Sequence, residues 1–180
     1  TTMLVASANN AAVALTRAAG FTTPEFIERM NQKAEMLGLT NTHFEEPTGL
    51  DRDNVSSALD VVRLGRQAFQ EASIREAVTM PEYVFTPLNA RSKRRVRTTD
   101  DLLNSETDGY KIIGAKTGFT IDAGYTFVVE AEHERHERVL VALLNAPTDT
   151  ARFEDADTLI HWAFDNYKWE SNNEEVRVTN

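Results

Sequence analysis

Residues 114–120 read Gly-Ala-Lys-Thr-Gly-Phe-Thr, and they set a lysine, a hydroxyl and a residue without Cβ in direct succession at positions 116–118. The segment has the pattern of a strand that ends in a tight loop. Lys116 brings a long-range positive field and three donors, Thr117 can hydrogen-bond a carboxylate oxygen, and Gly118 lets a second backbone come close to the strand. Together they can line one wall of a carboxylate-binding cleft. Average composition produces the tripeptide by chance in roughly one chain in twenty to thirty of this length, so it gains meaning only from the rest of the chain.

Working outward to the N-terminal side, Ser7-Ala8-Asn9 puts a hydroxyl and an amide two residues apart at the start of an Ala-rich helical run, Asn10 to Ala19. Ser7 reads equally as the N-cap of that helix. A second copy of the pattern, Ser171-Asn172-Asn173, lies in a polar tail and shows how cheaply it arises. Ser-x-Asn-like and Lys-Thr-Gly elements occur together, with a third element Ser-x-x-Lys, in penicillin-binding proteins and class A β-lactamases.

Four blocks extend the comparison along most of the chain: MLVASANNAAVALTRAAG; NTHFEEPTGLD followed by SSALDVVRLGRQA; GAKTGFTIDAGYTFVVEA; and NAPTDTARFEDADTLIHWAFD. In this order they resemble the D-alanyl-D-alanine carboxypeptidases, the low-molecular-weight penicillin-binding proteins of the serine peptidase type. The resemblance implies an α/β (α+β) fold of the β-lactamase/penicillin-binding-protein transpeptidase kind, an antiparallel sheet flanked by helices with its N-terminal part missing. Residues 1–170 would form a partial catalytic domain and 171–180 a polar tail.

In that family the nucleophile is the serine of Ser-x-x-Lys, some tens of residues before Ser-x-Asn. No serine of this chain has a lysine three positions later, and Ser92-Lys93 has the wrong spacing. The expectation is a fragment, or one half of a split enzyme, that addresses the substrate without an attacking group and is inactive alone.

The resemblance also implies roles. Ser7 would join the nucleophile's proton network and help protonate the leaving amine, and the Asn9 side chain would hold the penultimate amide. Lys116 would supply positive field and tie in Ser7. Thr117 would bind the terminal carboxylate, Gly118 would permit antiparallel docking of the peptide, and the Phe119 N–H would give one oxyanion donor. Arg152 would pair with the carboxylate through its fork, or else be a surface arginine at a helix start. One departure is Thr98-Thr99-Asp100-Asp101-Leu102-Leu103, where the family often has Asn-Thr-Asn before two leucines. An Asp near the cleft would oppose an anionic substrate, so it is turned away or the site is weakened.

The implied partners are a peptidoglycan stem peptide ending in D-Ala-D-Ala and, for the intact enzyme, β-lactam antibiotics as inhibitors. The implied location is extracytoplasmic, with membrane association only through segments not in this chain, and no cofactor or metal is called for. Two other readings share the motifs: a non-catalytic peptidoglycan-peptide binding module and a β-lactamase-like hydrolase.

Composition bounds these readings. One hundred and eighty residues suit one domain. Nineteen basic against 28 acidic residues give a net charge of −9, which argues against nucleic acid as the main partner. No cysteine is present, so there is neither a disulfide framework nor a thiolate metal site. No apolar run approaches the roughly 18 residues of a bilayer span.

Local patterns fill in the order of elements. Thr23 and Pro24 open a core-facing helix carrying Phe26, Ile27, Met30, Ala34 and Leu37, which Gly38 stops. Leu39 to Asp53 reads as a loop. Ser56 or Ser57 caps a helix with Leu59, Val62, Leu64 and Phe69 on its apolar face. A short helix over 73–79 and a strand over 83–86 precede the basic run Arg91 to Arg97, read as a solvated strand edge. Ala123 to Ala131 and Arg138 to Leu144 read as a hairpin whose polar tip explains His133 and His136 without a metal. The last helix covers 151–166, with Trp162 and Trp169 packing near its end.

Overall fold

The computed structural model describes residues 1–169. The first helices are α1 (Thr2–Ala6), α2 (Asn9–Ala18), α3 (Thr23–Met36), α4 (Ala58–Ala68) and α5 (Ala72–Val78). A two-stranded antiparallel ribbon follows, β1 (Glu82–Phe85) against β2 (Arg94–Arg97), and then a 3₁₀ turn, Leu102–Asn104. The main sheet is β3 (Tyr110–Thr120), β4 (Gly124–His133) and β5 (Arg138–Ala146), antiparallel in that order, and α6 (Asp149–Asn166) ends the described fold. This is the mixed, antiparallel α+β architecture expected. The 171–180 tail lies outside the described residues.

Strand periodicity sorts the sheet into two faces. Ala115, Phe127, Val129, Ala131 and Val141 pack with Phe153, Ala156, Ile160 and Phe164 of α6 into the core. On the opposite face α4 lies so close that a Cβ on Gly65 would stand 3.0 Å from Val128 Cγ2. The sheet is therefore covered by α6 on one side and α4 on the other. A bulge at Ile112/Gly114 shifts the register of β3 before the motif, after which Lys116 pairs with Val128 and Thr117 with Phe127. Alternation then sends Thr117 toward the α6 side and Lys116 toward the helices of the N-terminal half.

Several local expectations move. The cap of α3 is Thr22, not Thr23: its hydroxyl accepts from the Glu25 amide while Glu25 reaches back to the Thr22 amide, a full capping box. Of that helix's apolar face only Ala34 is buried, so α3 lies over the core's margin and does not form it. Leu59 is 58% exposed, because α4 turns Asp60 and Gly65 inward instead. The Asp60 carboxylate accepts from the Asn41 amide at 2.8 Å and the Thr42 hydroxyl at 3.1 Å, fixing the chain that leaves α3. Of the basic run only Arg94–Arg97 is a strand, residues 91–93 belonging to the connection before it, and Arg95 reaches Glu82 of the partner strand at 3.1 Å. Trp162 stands edge-on to Tyr167, and Trp169 covers Phe164.

Candidate active site

Ser7 is where the structure departs most from a simple sequence reading. It caps no helix at its N-terminus; that position belongs to Ala8. Ser7 ends α1 in the left-handed region, φ 50°, a conformation uncommon for a residue with a side chain. The kink between α1 and α2 thereby presents its hydroxyl to the sheet. Lys116 Nζ donates a hydrogen bond to Ser7 Oγ and a second to the Thr117 carbonyl at 2.6 Å. The two motifs meet in space although the chain between them makes most of the fold.

They share a cleft of about 610 Å³, lined by Ser7, Asn9, Lys116, Thr117, Gly118, Phe119 and Arg152, with Pro47 to Leu50 forming the facing wall. All seven residues singled out from sequence therefore line one cavity. Burial and then the Arg152 charge push the Lys116 ammonium down to about 8. Its proton is correspondingly easier to give up than that of a surface lysine.

Thr117 is buried, and its hydroxyl shares a hydrogen bond with that of Thr99 at 2.5 Å. Gly118 has a packing reason to lack a side chain, since a Cβ there would lie 2.5 Å from Thr126 Oγ1. Phe119 is 54% exposed at the mouth and packs at a tilt against Tyr125, ring centroids 4.3 Å apart. Asn9 opens α2 with its side chain exposed along the cleft.

Arg152 is not a surface residue. Its Nη1 donates to the carbonyls of Gly118 at 3.0 Å and Thr126 at 3.4 Å, its Nη2 pairs with Asp149, and the guanidinium lies over Tyr125 and Phe153. The charge is held at the wall of the cleft by the carbonyls of the β3–β4 pair. Asp100, the departure noted in sequence, is buried and turned from the cleft. One oxygen accepts from the Leu102 amide at 3.0 Å, the other lacks a hydrogen-bond partner, and burial raises the carboxyl to about 6.

Two contributors escaped the sequence reading. Thr99 holds Thr117, and nothing in its local pattern announces a contact 18 residues away. Glu46 shapes the facing wall: Oε2 accepts from the amide and hydroxyl of Thr48, and Oε1 from the amides of Gly49 and Leu50 and from Asn54 Nδ2. Glu directly before Pro-Thr-Gly was the available signal, an acceptor beside a turn rich in unpaired amides. Among the described residues no group of three or more His, Cys, Asp or Glu side chains is placed to hold a metal ion.

The family model of the D-alanyl-D-alanine carboxypeptidases, peptidase family S11, matches residues 1–148. This chain belongs to that family. Among curated relatives it is 32% identical over 167 residues to the D-alanyl-D-alanine carboxypeptidase DacA of Haemophilus influenzae, covering 92% of this chain and 41% of that one. It is 35% identical over 159 residues to a D-alanyl-D-alanine endopeptidase of Pseudomonas aeruginosa, covering 88% and 50%. The chain thus spans half or less of the length of these relatives. A solved D-alanyl-D-alanine carboxypeptidase of Mycobacterium tuberculosis superposes with a TM-score of 0.80 at 29% identity, over 98% of this chain and 64% of that one. Penicillin-binding protein D2 of Listeria monocytogenes, solved in an ampicillin-bound form, gives 0.74 at 34% identity, over 91% and 65%. The carboxypeptidase family match ends before Arg152, so membership alone assigns that residue nothing.

Proposed function

We propose that this chain forms the substrate-anchoring part of a serine-type D-Ala-D-Ala carboxypeptidase, which removes the terminal D-Ala from peptidoglycan stem peptides through an acyl-enzyme. The contact that carries this reading is Lys116 Nζ donating to Ser7 Oγ across 109 positions. It builds one proton network from two motifs that have no structural need to meet. Acyl transfer by a serine requires a base for the hydroxyl, donors for the oxyanion and an anchor for the carboxylate. The serine and its lysine base belong to a Ser-x-x-Lys segment that these 180 residues do not contain.

Ser7, bound to a lysine whose proton is loosely held, passes a proton toward the leaving amine. Asn9 holds the penultimate amide. The substrate lies antiparallel on the outer edge of β3, which no described strand covers, with its carboxylate on the Thr117 hydroxyl in the field of Lys116 and Arg152. The Phe119 amide donates to the oxyanion. Since the Arg152 Nη atoms already serve two carbonyls and Asp149, it acts on the carboxylate by charge and by fixing Gly118, while its buried Nε has no hydrogen-bond partner of its own among the described residues. The site works outside the cytoplasm, where its polymer is.

Two measurements test this. An N-acyl-D-Ala-D-Ala peptide titrated into the labelled chain shifts the amide resonances of residues 116–119, and the L-Ala-L-Ala isomer does not. Equal response to both isomers, or shifts confined to another surface, overturns the reading. The 180-residue chain mixed with a fluorescent penicillin shows no covalent adduct by intact mass, because the attacking oxygen is not in it. A stoichiometric, hydrolysable adduct would refute the assignment of the nucleophile to Ser-x-x-Lys.

A further inference from the structure

The β1–β2 ribbon concentrates positive charge that the cleft does not use. Five of the chain's 19 basic residues fall in the seven positions Arg91 to Arg97, and no acidic residue stands between Thr86 and Arg97, in a chain of net charge −9. All five are exposed. Among the described residues only Arg95 of the five has an ion-pair partner, Glu82 across the ribbon at 3.1 Å. Charge on a strand edge guards it against pairing, but Arg91 and Lys93 lie before the strand and guard no edge.

The tip adds a second feature. Leu88 occupies the turn and is fully exposed, and Val84, 42% exposed, lies on the same ribbon face as Arg95, opposite the stacked Tyr83 and Phe85. An aliphatic side chain at the end of a cationic hairpin gains nothing from a dissolved polyanion, whose groups are charged and hydrated. At the headgroup boundary of a bilayer both features gain, because the cations meet phosphates and the aliphatic group enters the acyl region. The rest of the chain holds all 28 acidic residues and is repelled by the same surface, so the ribbon leads the approach. Its base is closed by the Thr98 amide on the Pro81 carbonyl at 2.9 Å, and Thr99, next in the chain, holds Thr117 in the cleft. Leu88 is seven residues beyond Pro81, a reach of at most roughly 25 Å.

We propose that the β1–β2 ribbon is a docking surface for an anionic phospholipid membrane, with Leu88 as the inserted tip and Arg91, Lys93 and Arg94 as the headgroup contacts. Membrane association, placed by the family resemblance in segments outside this chain, then has a contact within it. Docking through the ribbon also sets the height of the cleft above the bilayer, since Thr98 and Thr99 join the two without a linker. The assignment is independent of the substrate reading.

Sedimentation with vesicles tests it. The 180-residue chain co-sediments with equimolar phosphatidylcholine and phosphatidylglycerol but not with phosphatidylcholine alone, and salt weakens the binding. Arg91→Gln, Lys93→Gln and Arg94→Gln together lower the affinity about a hundredfold, at about fivefold per charge. Leu88→Ser lowers it about fivefold. The chain has no cysteine, so a polarity-sensitive dye on Leu88→Cys reports the tip alone: its emission moves to the blue on the anionic vesicles, and the same dye on Met36→Cys, exposed on α3, does not. Inorganic polyphosphate separates the other class of partner. If it binds the chain as tightly as the vesicles do and Leu88→Ser alters neither, the partner is a dissolved polyanion and the membrane assignment falls. Vesicle binding unchanged in the triple variant, or equal for neutral and anionic vesicles, overturns it too. The peptide-induced shifts at 116–119 are unaffected by these substitutions, so the substrate reading is decided separately.

Discussion

Glu46 and Asp100 are carboxylates a short distance apart in character but opposite in consequence. Burial works against the Glu46 charge, yet the hydroxyl and amide of Thr48 and the amides of Leu50 and Asp51 outweigh it and lower the group to about 2. The folded state therefore holds Glu46 ionised where the unfolded chain is protonated, and this stability is lost as pH falls from 4.5 toward 2. Glu46→Gln is expected to cost about 1 kcal/mol at neutral pH, solvent screening the exposed side of the carboxylate, with the difference closing in acid, and to speed amide exchange at Gly49 and Leu50. Equal urea midpoints at pH 7 would contradict it.

Asp100 behaves in reverse. Its folded value near 6 lies above the ordinary 3.8, so the folded state keeps a proton the unfolded chain has released, and stability falls as pH rises through that window. Asp100→Asn retains an acceptor for Leu102, and should stabilise the chain by about 1–3 kcal/mol above pH 6 and by little below pH 4. Unfolding at the two pH values checks the sign. The sequence shows that an Asp stands there but not which way it faces, since that depends on the 3₁₀ turn that follows. Lys116 to Gly118 are different: their chemistry is visible in the triplet itself, and only the partner across the cleft needs three dimensions.

At the scale of elements, the glycines of β3 and α4 separate what pattern can and cannot show. Gly114 ends the β3 bulge directly over the buried ring of Phe69, and a Cβ there would stand 2.7 Å from Phe69 Cγ. An aromatic ring packed on all sides cannot turn aside, so Gly114→Ala is expected to destabilise by about 1–3 kcal/mol. Gly65→Ala is the control. Its new methyl meets Val128 Cγ2 at 3.0 Å, a side-chain end that can give, and it gains about 1 kcal/mol of helix propensity, so the net change stays small. A loss at Gly65 as large as at Gly114 would mean that α4, not β3, sets the spacing. The hairpin β4–β5 and helix α6 were readable because alternation and 3.6-residue periodicity are local. The five-residue helix α1 was not, having too few positions to show a period, and the kink that aims Ser7 was hidden with it.

The whole molecule has a main sheet of three strands whose outer members, β3 and β5, each have an edge that no described strand pairs. The β3 edge is the one proposed for the substrate. Along β5 runs an apolar groove of about 410 Å³ lined by Val139, Val141, Leu159, Trp162 and Ala163, with Trp162 51% exposed. Ile121, 94% exposed on the β3–β4 turn, and Phe119 at the cleft add further apolar surface. A free strand edge beside exposed aliphatic and indole surface is the combination that natural sheets cover or charge, because it templates pairing with another chain. The family resemblance visible in the sequence carries the expectation of further strands beside this sheet, but not which edge they would need. The geometry supplies the edge. The 180-residue chain alone is therefore expected to self-associate at about 10–100 μM, with unfolding that is broad or irreversible on heating. Leu159→Lys together with Trp162→Glu, both exposed in the groove, should shift its sedimentation toward the monomer without altering the peptide-induced shifts at 116–119. A sharp, reversible thermal transition of a monomer at the upper concentration would show that α4 and α6 already cover enough of the sheet, and that the β5 edge needs no partner.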